Sequence, residues 1–273
     1  MRHHLKLIFI IIVLFVIGES IHVSSYNKDI RKLILMSIDN LSHPEFYQAL
    51  ANPTVSYINI PEGLRKEQVA EIAQDRFNWG TSSTEDFLGY DEMRSSKFEG
   101  KYYPGIYLVA RNISGHDLKN TMNSRFENEY SSIEASLATS TLTTDQILTI
   151  ASIIEREAAG KSDMALISGI IENRLKRGMN LQMDATLQYA KGTTDNGWWP
   201  IVLSRDKKIE SPYNTYKYNG LPPSPIANPG EDAIVAALNP AKTNCVYYFH
   251  KNDVIYCSAT YAEHKRKIDL YLK

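Results

Sequence analysis

Glu155 and Glu157 stand two positions apart in the stretch Ala151-Ser152-Ile153-Ile154-Glu155-Arg156-Glu157. A carboxyl group set against apolar surface holds its proton near neutral pH, so it can serve as a general acid and then as a base. Ile147, Ala151, Ile154 and Ala158 recur at helical spacing and define a buried stripe. At roughly 100° per residue, both glutamates fall about 80° from the centre of that stripe, on opposite sides. Thr149 and Arg156 then point outward. Periodicity leaves the two glutamates equivalent, each either a chemical group or a solvated flank of the helix. The small neighbours Ala151, Ala158 and Ala159 leave room beside them for a ligand.

The elements that must position these carboxylates have their own signals. Thr143-Thr144-Asp145-Gln146 reads as a capping box, so a helix is predicted from there to about Ala159, with Gly160 following it. Ser162 or Asp163 is expected to cap the next helix, which ends at Gly178. Upstream, residues 55–60 alternate as a strand, Pro61-Glu62-Gly63 forms a turn, and residues 64–77 show helical spacing. This strand–turn–helix unit resembles half of a small glycan-binding LysM-like module. Residues 98–110 are a second landmark, with Glu99 ahead of a strand-like Tyr/Pro segment. A helix is predicted around 115–138. Residues 190–230, rich in Pro, Gly, Asn and Tyr, read as a long ordered loop of the kind that is usually functional. A short helix at 231–238, a hairpin pairing 245–250 with 254–259, and a helix at 260–272 complete the chain.

Composition narrows the function. The chain has 273 residues, with 30 Lys+Arg against 31 Asp+Glu, a net charge of −1. No basic surplus or stripe is present, which argues against nucleic acid as a partner. The 17 Tyr and 3 Trp offer flat faces with polar edges, suited to sugar rings as well as to cores. The two cysteines, Cys245 and Cys257, have no metal-ligand spacing, and the seven His are scattered, so no metal site and no cofactor are expected. The cysteines fall on the two arms of the hairpin, as either a disulfide or a free buried pair. At the N-terminus, Arg2, His3, His4 and Lys6 precede an apolar run over 7–18. That run is short for a bilayer span and fits a signal segment, with Gly18-Glu19-Ser20 as a weak cleavage site. Extended from Leu5 to Val23, it becomes a single-pass anchor. Either way the bulk of the chain is exported, with the basic end inside.

Four ordered motifs go further. They are Phe98-Glu99-Gly100-Lys101-Tyr102-Tyr103-Pro104-Gly105-Ile106-Tyr107 and the block Ala151 to Glu157. Next comes Asn173-Arg174-Leu175 with Gly178-Met179, Leu181-Gln182, Asp184, Thr186 and Tyr189. The last is Tyr213-Asn214-Thr215-Tyr216 with Gly220-Leu221-Pro222-Pro223-Ser224-Pro225-Ile226 and Asn228-Pro229-Gly230. Together with Pro240-Ala241-Lys242-Thr243 and His264, they resemble the endolytic murein transglycosylase family (MltG, YceG-like) from about residue 55 onward. The chain departs from the family pattern at Gly105 and Ile106, which replace Asp-Thr. It departs again at Ala185, which replaces a Pro, at Ser224, which replaces a Gly, and at Ile255 and Cys257 in the hairpin.

The resemblance implies an α+β protein, with a LysM-like α/β unit over 55–97 and a lysozyme-like, mainly helical catalytic domain with a hairpin over 98–273. A membrane anchor or signal segment over 1–23 and a helical connector over 24–54 would precede them. It implies a lytic transglycosylase that cleaves the bond from N-acetylmuramic acid to N-acetylglucosamine in nascent peptidoglycan and leaves 1,6-anhydro ends. Glu155 would be the catalytic group and Glu157 the alternative acid. Gln182, Asp184, Glu99, Tyr213, Asn214 and Tyr216 would bind the glycan. The expected location is the inner membrane, facing out of the cytoplasm beside penicillin-binding synthases. The rival readings are a lysozyme-type hydrolase, with Asp184 as second carboxylate, and a non-catalytic glycan-binding scaffold.

Overall fold

A computed structural model of the chain describes residues 54–89, 99–137 and 141–272. The proposed signal segment, and the connector except for Thr54, lie outside the described residues. Among the described residues, no helix is long and apolar enough to cross a membrane. Residues 54–57 and 107–111 belong to one compact unit, and the other described residues to a second.

The elements run β1 (Val55–Ile60), α1 (Lys66–Phe77), α2 (Thr81–Leu88), β2 (Gly105–Ala110), α3 (Gly115–Leu137), α4 (Thr144–Glu157), α5 (Lys161–Lys176) and α6 (Asp184–Lys191). A 3-10 turn (Ser204–Lys208), α7 (Glu231–Leu238), β3 (Tyr247–Lys251), β4 (Val254–Ser258) and α8 (Tyr261–Tyr271) follow. Helices dominate, and the two sheets have two strands each, β1 with β2 and β3 with β4. This is the expected α+β class. In the smaller unit, Arg111 N–H donates to Thr54 O (2.9 Å), which sets the end of β2 beside the start of β1.

The second unit is built around α4. Its start follows the capping box: Thr143 Oγ1 accepts from Gln146 N–H (3.3 Å), and Gln146 Oε1 accepts from Thr143 N–H (2.9 Å). All eight residues from Ile147 to Ile154 are buried. A single apolar stripe does not predict this. The helix is covered on several sides, by α5, α6 and α7, so Thr149 is buried and not outward as expected. Its hydroxyl donates to Asp145 O (2.7 Å), which removes the cost of burying it. Around α4 lie Ile167 and Ile171 of α5, Ala185 and Tyr189 of α6, and Ile234 and Ala237 of α7. Each fully buried Ile of this kind contributes about 1.5–3 kcal/mol.

The link from α4 to α5 corrects a second expectation. Helix α4 ends at Glu157, and Gly160 is the N-cap of α5, with neither Ser162 nor Asp163 capping it. Asp163 is buried instead and faces His250 Nε2 (3.1 Å). Gly178 has φ +63°, the left-handed geometry that closes α5. Helices α2 and α6 are not in the sequence reading. An aromatic ladder of Phe77, Trp79, Phe87 and Tyr102 docks α2, and Trp79 Nε1 donates to Ile113 O (2.9 Å).

The hairpin pairs Tyr247 with Ser258 and Tyr248 with Cys257. Cys245 and Cys257 form a disulfide, with Cα atoms 5.7 Å apart, which resolves the open choice between bonded and free thiols. Arg174 of α5 holds the hairpin's entry, since its Nε donates to Val246 O (2.6 Å) and its guanidinium also reaches Leu181 O.

Candidate active site

Glu155 sits on the last turn of α4 and is half-buried. Its Oε2 accepts from Gly230 N–H (3.0 Å), at the N-cap of α7. Among the described residues its other oxygen has no hydrogen bond. Burial raises its pKa above the ordinary glutamate value. The Gly230 N–H and Arg156 oppose that rise, while the carboxylates of Glu62 and Asp232 add to it.

The strap 226–230 that carries Gly230 is fixed from two directions. Ile226 N–H donates to Ser152 Oγ of α4 (3.0 Å). Asn228 accepts from Gly63 N–H (2.8 Å), donates its own N–H to Leu64 O (2.8 Å) and accepts from Tyr102 N–H at Oδ1 (2.9 Å). The turn at 61–63 is thereby drawn to α4. A methyl group built on Gly63 would lie 3.4 Å from Glu155 Cγ.

Glu157 meets different surroundings. Its Oε1 accepts from Ala185 N–H (2.9 Å) in the first turn of α6, and its Oε2 accepts from Tyr248 O–H (2.7 Å) of β3. Burial raises its pKa, and these two donors oppose the rise. Both oxygens are occupied. The family pattern has Pro where this chain has Ala185, and proline carries no N–H, so the bond to Glu157 belongs to the departure.

Gln182 and Asp184 lie at the start of α6, the end that Glu157 braces, and both are exposed. Gln182 has a left-handed backbone (φ +50°), and its N–H donates to Thr215 O (3.0 Å). Tyr216 O–H donates to Asp184 Oδ1 (2.6 Å), so these two expected glycan contacts are brought together. Tyr213 packs on Tyr189 with ring centroids 4.8 Å apart, and its hydroxyl meets Ser224 Oγ (2.6 Å), a hydroxyl that the family's Gly would lack.

Two expected contacts are placed elsewhere. Asn214 is fully buried; its amide donates to Lys207 O and Ile209 O and accepts from Tyr216 N–H. Its role here is to hold the loop. Glu99 is also buried, accepting from Lys66 N–H and Tyr189 O–H (3.0 Å each). Burial pushes its pKa up to about 7.

Trp198 and Trp199 are docked on α1: their indoles donate to Glu71 Oε1 (2.9 Å) and Gln68 Oε1 (2.8 Å). The Arg156 guanidinium lies over the Trp199 ring, 4.0 Å from its centroid. The residues missing from the sequence reading of this site are Glu62, Tyr248 and the backbone of Gly230. The 61–63 segment reads only as a turn, because what it faces depends on pairing with a strap 164 residues away. Among the described residues, no group of three or more His, Cys, Asp or Glu is arranged to hold a metal ion.

Residues 37–270 match the YceG-like family. The chain belongs to that family. It is 35% identical to the endolytic murein transglycosylase of Bacillus subtilis (strain 168), over 64% of this chain and 48% of that protein. It is 30% identical to the endolytic murein transglycosylase of Streptococcus pneumoniae serotype 2 (strain D39 / NCTC 7466), over 72% of this chain and 40% of that protein. The chain therefore spans about half the length of the curated relatives it matches, or somewhat less. The 2.6 Å crystal structure of the putative yceG-like protein lmo1499 from Listeria monocytogenes superposes with a TM-score of 0.68 at 28% identity, over 77% of this chain and 75% of that one. As a YceG-like protein, this chain carries the Glu155 block on a helix whose last turn faces the strap 226–230.

Proposed function

We propose that the chain is an endolytic lytic transglycosylase of peptidoglycan and that Glu155 is its catalytic acid and base. One observation carries the assignment. Of the two glutamates in the block, Glu155 alone keeps an oxygen without a hydrogen bond among the described residues, while burial raises its pKa. A protonated carboxyl so held gives its proton to the oxygen between N-acetylmuramic acid and N-acetylglucosamine, and the N-acetylglucosamine side leaves. The same group, now a carboxylate, takes the proton of the muramic acid C6 hydroxyl. That oxygen closes onto C1, leaving a 1,6-anhydro end. No water enters, so the second carboxylate that hydrolysis requires is not needed. Gly230 N–H holds Oε2 in place throughout.

Gln182, Asp184, Tyr213 and Tyr216 are our assigned glycan contacts. We read residues 55–97 as a LysM-like glycan-binding unit and residues 98–273 as a lysozyme-like catalytic domain. The segment 1–23 is assigned as the anchor that keeps the enzyme at the inner membrane, outside the cytoplasm, beside the penicillin-binding synthases whose strands it ends. The Cys245–Cys257 disulfide supports an oxidising compartment.

The test is mass spectrometry of peptidoglycan digested by the full chain. Anhydro ends are expected. Reducing ends point to the hydrolase, and binding without cleavage points to the scaffold.

A further inference from the structure

Gly230 has φ −78°, a backbone that any residue adopts, so its conformation does not require glycine. Space does. A Cβ built there would fall 2.1 Å from Glu62 Oε1 and 2.2 Å from Glu62 Cδ. The Glu62 carboxylate therefore occupies the place where a side chain at 230 would be. The same residue gives its N–H to Glu155 Oε2 (3.0 Å). One glycine thus seats two carboxyl groups, one on its N–H and one on its Cα. Glu62 is exposed and has no hydrogen bond or ion pair among the described residues. Its backbone neighbours are held against the strap by the bonds between Gly63, Leu64 and Asn228.

We propose that Glu62 is a positioning residue of the reaction at Glu155, seated on Gly230 so that its carboxylate acts on the chemistry through that acid. The inference rests on the transglycosylase reading. A like charge beside Glu155 disfavours loss of its proton. It keeps the acid loaded for the first transfer, and it makes the resulting carboxylate a stronger base for the C6 hydroxyl proton. The other groups facing Glu155 are known. Arg156 on the same helix and the Gly230 N–H at the start of α7 favour its ionised form. Asp232 in the first turn of α7 opposes ionisation; Lys161 of α5 pairs with Asp232 and its charge also acts on Glu155 and Glu62. Burial is the largest influence, and Glu62 tunes it.

The experiment is the pH dependence of anhydro-end release by the full chain, for wild type, Glu62→Gln, Gly230→Ala, the double variant and Glu155→Gln. Activity needs protonated Glu155, so it falls as pH rises through that group's raised pKa. Removing the Glu62 charge lowers that pKa and moves the alkaline limb to lower pH. Activity at neutral pH then drops roughly threefold to tenfold, with KM little changed. Gly230→Ala keeps the N–H to Glu155 but fills the seat, and the flexible end of Glu62 swings away. It should shift the limb the same way, and the double variant should shift it no further. If Glu155→Gln is dead but Glu62→Gln lowers only the amplitude, with an unmoved limb, this proposal is wrong and the transglycosylase reading stands. Additive shifts in the double variant also overturn it. If Glu155→Gln retains cleavage, both fail.

Discussion

The two faces of the last turn of α4 carry the same side chain in opposite settings. On one face, Glu155 meets one backbone N–H, two glycines, and the charges of Glu62 and Asp232. On the other, Glu157 meets two donors, from α6 and from the disulfide-braced hairpin, and ties those elements together. Both carboxyls are pushed up by burial. What separates them is satisfaction. A group with both oxygens held stabilises the fold, whereas a group with one oxygen left over retains an atom for a substrate. A raised pKa alone therefore does not tell the two apart.

This contrast is open to direct tests. The largest effect should come from Glu155→Gln, which removes the transferable proton while keeping the shape. Release of anhydro ends should fall about a thousandfold, within the usual range for a lost general acid, with the melting temperature nearly unchanged. If Glu157→Gln silences the enzyme instead, the two faces have been assigned the wrong way round.

Next is the hairpin that braces the Glu157 face. Replacing Cys245 and Cys257 together by Ser opens a loop with a sequence separation of 12 and should cost about 3 kcal/mol in chemical denaturation. Cleavage at low temperature should survive. Glu157→Gln should follow, at about 1–3 kcal/mol, because one of its two donors loses an acceptor. Here too denaturation should change while turnover per folded molecule holds. The smallest effect belongs to Ala185→Pro. Proline is tolerated in a first helical turn but has no N–H for Glu157, so a loss within about 1 kcal/mol is expected. A large loss of activity there would mean that the brace on Glu157 also reaches the reaction.

Much of the frame was legible in the chain. The capping box at Thr143 set the start of α4, the hydrophobic spacing gave α1, and Gly178 gave the end of α5, because these signals act within one or two turns. The ordered motifs identified the family, and the match over residues 37–270 agrees. Other features were hidden for physical reasons. A single apolar stripe places Thr149 toward water, whereas α5, α6 and α7 surround that helix and bury it. Asn214 looked like a sugar contact because its amide suits one, yet the loop's own carbonyls take it.

By itself, then, the sequence determined the α4 helix and the pair of glutamates at its border. It could not separate Glu155 from Glu157, since helical geometry places them symmetrically. The tertiary structure broke that symmetry. Segments distant in sequence set Gly230 and Glu62 against one glutamate and Ala185 and Tyr248 against the other. Periodicity fixes the direction of a side chain, but only long-range packing decides how many donors meet it there.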